Sequence, residues 1–306
     1  MCCLFGLIDY KHHLSGRQKG RILCSLSAAC EARGTDATGI AYHSAGRLHI
    51  YKKPVPAHKL RFYIPNGARV IMGHTRMTTQ GSQQFNCNNH PFQGKANRLP
   101  FALAHNGVLY NDKILRRTLK LPQTRIETDS YIAVQLIEQQ GVLTPASLKA
   151  MAEQVEGSFV FTVLDHRDNL YFVKGDNPLC LYHFKSLGTY IYASTEEILN
   201  QGLQKTWLTQ ERPIKVNVDT GDILRIGSDG KIDTTYFTMN INPYGYWERY
   251  WLYTPEMHDS GIDNEYVSEL KSVAAIFGYT PDDIEALLDQ GFTTDEIEEV
   301  LYCSGI

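Results

Sequence analysis

Nowhere in the 306 residues do 18 apolar residues run together, and the opening stretch MCCLFGLIDYKHH has neither a basic lead nor a sustained apolar core. Both absences argue against a membrane-spanning helix and a secretory signal, so no membrane partner and a reducing, cytoplasmic setting are expected. The seven cysteines are odd in number and scattered, without Cys-x-x-Cys or zinc-finger spacing. A disulfide framework and a structural metal are not expected, and neither is a cofactor. No Lys/Arg run of nucleic-acid type occurs, and the formal net charge is only -3.

What is present is an ordinary globular composition, 43% hydrophobic and 21% charged. The length predicts about two domains. The small net charge hides a split. Residues 263–306 carry eleven acidic side chains against Lys271 alone, a net of -10, which leaves +7 for residues 1–262. Charge of this kind names no partner, since solvated helix faces commonly carry it.

Short β-rich runs dominate the first two thirds: 4–9, 39–43, 48–52, 70–74, 101–104, 158–165, 170–173, 179–184 and 189–193. A further pair, 214–226 and 231–239, reads as a hairpin around Ser228-Asp229-Gly230. Helical periodicity marks 16–32, 112–119, 129–139, 146–155 and 195–201. Sheets with interspersed helices, in no strict βαβ alternation, predict an α+β layered domain over residues 2–238. Residues 239–262 read as an aromatic-rich linker, and 263–306 as a small acidic helical module. Its helices are expected over 264–277, over 281–289 with Thr280 as cap and Pro281 at the first position, and over 295–302.

The chemistry starts at Cys2. If Met1 is removed, this thiol becomes N-terminal and carries its own base, because an α-amine titrates at ~7.7 to 8.0 against ~8.5 for the thiol. Alone, an N-terminal cysteine is weak evidence. Its company is stronger: Arg33-Gly34-Thr35-Asp36-Ala37-Thr38-Gly39, Gly73-His74-Thr75-Arg76-Met77-Thr78-Thr79-Gln80-Gly81, Asn89-His90-Pro91-Phe92, Ala104-His105-Asn106-Gly107 and Glu127-Thr128-Asp129-Ser130 follow in order. Over residues 2 to about 200 the chain resembles the class II glutamine amidotransferases, the Ntn-type glutaminase domains.

The resemblance implies an Ntn-hydrolase four-layer αββα sandwich that hydrolyses L-glutamine to glutamate and ammonia through a Cys2 thioester. It makes Cys2 the nucleophile and gives the oxyanion hole to the Asn106 amide and the Gly107 backbone N–H. Arg76 would hold the α-carboxylate of glutamine and Asp129 its α-ammonium, with Thr79 and His90 lining the same pocket. These types suit the task. A guanidinium fork matches a carboxylate, and an acid matches an ammonium, so the pair recognises the two charged ends of a free amino acid. The resemblance also makes 73–81 a loop closing over substrate, with Gly73 and Gly81 as flexible ends, and lets Asp36 help position the nucleophile strand.

Cys3, Leu4 and Gln80 depart from residues usual in the family, Gly, a β-branched residue and, in some members, His. The adjacent Cys3 leaves open which thiol a labelling reagent meets first. Too little length follows residue 238 for a phosphosugar isomerase, and neither an acidic-pair phosphoribosyl-pyrophosphate motif nor an ATP-binding glycine loop is evident. The ammonia acceptor is therefore expected on a partner synthase or acceptor-enzyme chain, or is absent. Two alternatives stay open: another Cys-Ntn amidase or acylase, and a catalytically silent scaffold using the tail as an adaptor.

Overall fold

The computed structural model describes residues 2–240 and, beyond them, a broken set of positions between 267 and 297, of which 279–289 is the longest stretch. Met1, the linker from residue 241 onward and most of the first and third expected tail helices lie outside the described residues. The chain divides into two compact units, residues 1–243 and 244–306.

In the first unit, thirteen strands form two antiparallel sheets among the described residues. One sheet has the order β11 (Ile214–Val216), β9 (Cys180–Phe184), β10 (Thr189–Ala193), β1 (Cys3–Asp9), β4 (Val70–Arg76), β2 (Ala37–Ser44), β3 (Arg47–Lys53). The other has the order β13 (Ile232–Tyr236), β12 (Asp222–Ile226), β8 (Leu170–Lys174), β7 (Gly157–Leu164), β6 (Leu99–Leu109), β5 (Phe92–Ala96).

Side-chain alternation explains the layering. On β1, Leu4 and Ile8 point into a core shared with Ala104, Val160, Leu164 and Phe172 of the other sheet. Phe5 and Leu7 point the opposite way and pack with α1 (Gly16–Cys30) and α5 (Glu196–Gln204) through Ile22, Leu26 and Leu199. The second sheet buries its outer face against α3 (Tyr131–Gln140) and α4 (Pro145–Gln154), with Leu115 of the short α2 (Asp112–Thr118) packed on the same cluster. A strand buried on both faces can be apolar at every position, which is how β1 escapes a polar alternation. The result is the expected four-layer αββα sandwich.

Local chemistry sets the helix starts. Ser15 caps α1 in a reciprocal box with Gln18, and Thr144 caps α4 with Pro145 in its first turn. At the C-terminal end of β1, Asp9 and Lys19 form a wholly buried ion pair at 3.0 Å. Lys19 also donates to the carbonyls of Asn66 and Ala68, at 3.1 and 2.7 Å. Asp9 accepts from the backbone N–H groups of His13 and Leu14, both at 3.1 Å.

Two expectations are corrected. The 214–226 run is two strands rather than one: β11 pairs with β9 in the first sheet, and β12 pairs with β8 in the second. The 219–222 turn between them carries the chain across. β5, absent from the sequence reading, is a five-residue edge strand, FQGKA, whose inner side chains alternate with exposed ones. In the second unit α6 (Pro281–Asp289) forms as expected, with the Asp283 N–H donating to Thr280 Oγ1 at 3.3 Å. Ile284, Leu270, Ala274 and Ile297 make a small core there.

Candidate active site

The strand register sets the site. Cys3 of β1 lies opposite Thr75 of β4, and Ala37 of β2 lies opposite Arg76. Cys2 therefore stands beside Arg76 at one end of the first sheet. The guanidinium of Arg76 and the carboxylate of Asp129 both act electrostatically on the Cys2 thiol. Arg76 in turn feels Cys2, Asp36, Asp129 and Glu127.

Ser194 draws in the second sheet. Its hydroxyl accepts the Leu4 N–H at 2.8 Å, and the Asn106 amide nitrogen lies 3.4 Å from the same oxygen. Cys2, Arg76, Asn106 and Asp129 thus come from far-apart stretches of sequence to one place. Gly107 sits in β6 with φ +144°, where a Cβ would fall 1.8 Å from the Ser158 carbonyl oxygen. Only glycine fits that approach.

Burial decides the electrostatics. It pushes the Cys2 thiol up to about 11, with the Met77 backbone and the Arg76 guanidinium pulling the other way. At neutral pH the sulfur is a thiol, so a nucleophilic role requires a base beside it. Burial likewise lowers the affinity of Arg76 for its proton. Cys3 is fully buried with its sulfur 3.0 Å from that of Cys30, whereas Cys2 is partly accessible and Cys87 exposed. Cys3 is shielded from a labelling reagent.

Arg76 is more engaged than its sequence suggested. Nη1 donates to Asn89 Oδ1 at 2.7 Å, and Nη2 donates to the carbonyls of Gln80 and Gly81 at 2.5 and 2.8 Å. Both guanidinium forks include Nη2, so a two-pronged grip on a carboxylate requires the Gln80 and Gly81 carbonyls to yield. Nε and the second Nη1 hydrogen remain for single bonds. Asp129 accepts the Leu109 N–H on Oδ2 at 2.6 Å and the Ser130 hydroxyl on Oδ1 at 3.3 Å.

Thr79 and His90 are not gathered in the same way. Thr79 is exposed on the loop after β4. His90 is buried with its ring 4.2 Å from that of His74 and 4.3 Å from that of Phe92, and neither ring nitrogen has a partner. Gly73 is no flexible end either. It lies within β4, where a Cβ would meet the Phe5 ring at 2.4 Å, so packing demands it. Gly81, with φ +70°, does lie in the loop. Asp36 holds that loop by accepting the Thr78 N–H at 2.7 Å, while Arg33 Nε bonds the Cys2 carbonyl at 3.0 Å. Of these bonds, the one that reaches Cys2 comes from Arg33, and the Asp36 carboxylate bonds the loop.

The sequence reading missed Asn89 as a partner of Arg76, Ser194 as the link between sheets, and Asn177, whose amide donates to the Asn106 carbonyl at 3.1 Å. Asn89 stood inside a quoted motif, but nothing in the sequence pointed to Ser194 or Asn177. Among the described residues no cluster of His, Cys, Asp and Glu is arranged to hold a metal ion, and no helix is long and apolar enough to cross a membrane.

Comparison with known proteins bears on this arrangement. Residues 74–201 match the family described as a glutamine amidotransferase domain. The chain carries a class II glutamine amidotransferase domain. Curated relatives named glutamine--fructose-6-phosphate aminotransferase (isomerizing) include one from Halalkalibacterium halodurans, 32% identical over 49% of this chain and 26% of that protein. Another, from Bacillus thuringiensis, is 31% identical over 58% of this chain and 30% of that one. The chain thus spans less than a third of the length of these relatives. The fold of the amidotransferase domain is shared with glutamine phosphoribosylpyrophosphate amidotransferase from B. subtilis, at TM-score 0.61 and 22% identity over 79% of this chain and 50% of that one. It is shared also with a structure described as the allosteric regulatory enzyme of purine biosynthesis, at TM-score 0.63 and 20% identity, with the same coverage.

Proposed function

We propose that the chain hydrolyses the side-chain amide of L-glutamine, with Cys2 as nucleophile, and passes the ammonia to an acceptor enzyme on a partner chain. The observation that carries this reading is the meeting of a partly accessible thiol, a buried guanidinium and a buried carboxylate at one end of the first sheet. Opposite charges set around a nucleophile suit a free amino acid, which brings both an α-carboxylate and an α-ammonium.

In this mechanism Met1 is removed and the freed α-amine of Cys2 takes the thiol proton. The sulfur attacks the amide carbon, and the Asn106 amide with the Gly107 N–H stabilises the oxyanion. The amine returns the proton to the departing nitrogen, ammonia leaves, and water hydrolyses the γ-glutamyl thioester to glutamate. Asp129 receives the α-ammonium. Arg76 receives the α-carboxylate once the Gln80 and Gly81 carbonyls turn away, a movement in which Thr79 travels with the same loop. His90 serves beneath the pocket rather than on its surface. The odd, scattered cysteines fit a reducing, cytoplasmic compartment. Residues 263–306 act as a separable acidic module for partner recruitment, so their deletion is expected to leave ammonia release in place.

The test is ammonia release from L-glutamine by the wild type and by Cys2→Ala, with N-acetylglutamine as a parallel substrate. Release from glutamine alone, lost in Cys2→Ala, is expected. Equal turnover of the N-acetyl compound would point to an acylase, and release that survives Cys2→Ala would overturn the mechanism.

A further inference from the structure

His105 and Ser130 were both within motifs quoted above, yet neither has a role in the mechanism. Both are buried, at 1% and 4% exposure. His105 Nδ1 lies 2.8 Å from Ser130 Oγ, and Ser130 Oγ lies 3.3 Å from Asp129 Oδ1. A carboxylate can only accept, so the serine hydroxyl donates to Asp129, and the same oxygen accepts from the ring. With the hydroxyl turned to Asp129, the neutral imidazole is assigned its proton on Nδ1. Its Nε2 is buried without a hydrogen bond. A second contact fixes the residue from the other side: His74 Nε2 donates to the His105 carbonyl at 2.9 Å, the peptide group that continues into Asn106.

The serine's position makes the arrangement informative. Ser130 stands at the N-cap of α3, the place where a serine hydroxyl ordinarily accepts a helix N–H. Here it makes no such bond, and its backbone is already helical, at φ -56° and ψ -28°. The hydroxyl is turned from helix capping to bridge a ring and a carboxylate.

We propose that His105 and Ser130 are positioning residues that hold the Asp129 carboxylate in the orientation that accepts the α-ammonium of the substrate. The Leu109 N–H fixes one carboxylate oxygen and the His105–Ser130 relay the other, so the acid cannot rotate away. The relay rests on the glutamine reading above and concerns selectivity for the amino end of the substrate, not the thiol chemistry. His105 does this from the strand that also carries Asn106, which ties recognition of the ammonium to the strand of the oxyanion hole.

Binding is measured by calorimetry on Cys2→Ala protein, where no turnover interferes, with L-glutamine and with 4-carbamoylbutanoate, which lacks the α-amino group. Adding Ser130→Ala is expected to weaken glutamine about tenfold and leave 4-carbamoylbutanoate within about twofold, the size of one lost hydrogen bond to a charged group. Ser130→Thr should restore glutamine binding. His105→Phe, which keeps the stack on Phe161 but removes the ring proton, should match Ser130→Ala and gives a second cut should either variant fold poorly. Equal weakening of both ligands, or no effect on either, would overturn the relay while leaving the glutamine reading intact. Absence of any glutamine binding to Cys2→Ala would bring down that reading, and the relay with it.

Discussion

The two ends of β1 treat buried charge in opposite ways. At the Asp9 end, the carboxylate and Lys19 satisfy one another and are surrounded by backbone donors and acceptors, with three bonds converging on each group. At the Cys2 end, Arg76 and Asp129 are equally buried yet are not joined to each other as an ion pair, and the Asn106 side-chain oxygen has no partner at all. Buried polar groups normally find partners, and leaving one unmatched is costly. The contrast separates two uses of buried charge: the saturated end holds the fold, and the under-matched end is where the substrate proposed above would find its partners.

The comparison can be broken in several ways. The largest expected effect is with pH and belongs to the Cys2 end, where His74 lies opposite Leu4 of β1. Burial holds His74 at about 3, against an ordinary 6.5, so below pH 6.5 the unfolded chain takes up a proton that the folded chain refuses. Its stabilising contribution is complete above pH 6.5 and is lost progressively down to about pH 3, on the order of 5 kcal/mol for this residue alone. Denaturant melts across that range should show the loss, and His74→Gln should remove its share while leaving that of the buried His90 and His105.

Next comes the saturated end. Lys19→Ala leaves Asp9 buried without its counter-ion and should cost roughly 3–5 kcal/mol in urea unfolding. The glutamine KM of the folded fraction should not change. Asp129→Asn should do the reverse, raising KM about a hundredfold with little change in unfolding midpoint. If Asp129→Asn instead unfolds the protein as severely as Lys19→Ala, the distinction between the two ends fails. The smallest effect lies outside both: Ser15→Ala removes the α1 cap and should cost about 1 kcal/mol in the same melts, with no kinetic consequence.

Much of this was legible in the chain, for identifiable reasons. Short β-branched and aromatic runs such as 189–193 announced their strands, although burial on both faces leaves them no alternation. Thr280 announced a helix start by the cap chemistry that it carries out. The order of short motifs announced Cys2, Arg76, Asn106 and Asp129 together. What escaped was whatever depends on a distant neighbour. Gly73 looked like a hinge because its reason for being glycine, the Phe5 ring, is 68 positions away. Arg76 looked like an open fork because the Gln80 and Gly81 carbonyls that fill it are set by loop shape. The 214–226 run looked continuous because its strand residues keep the same apolar character on both sides of the turn that changes sheets.

That last turn has company. The chain passes between the sheets from β4 to β5, from β8 to β9 and from β11 to β12, so the sandwich is laced three times across its seam. The first lace is the segment 77–91, and it is knotted to Arg76 through Gln80, Gly81 and Asn89. Those three bonds tie the guanidinium of a first-sheet strand to the segment that leads into the second sheet, so on the function proposed a carboxylate taking Arg76 would slacken a strap anchored in both.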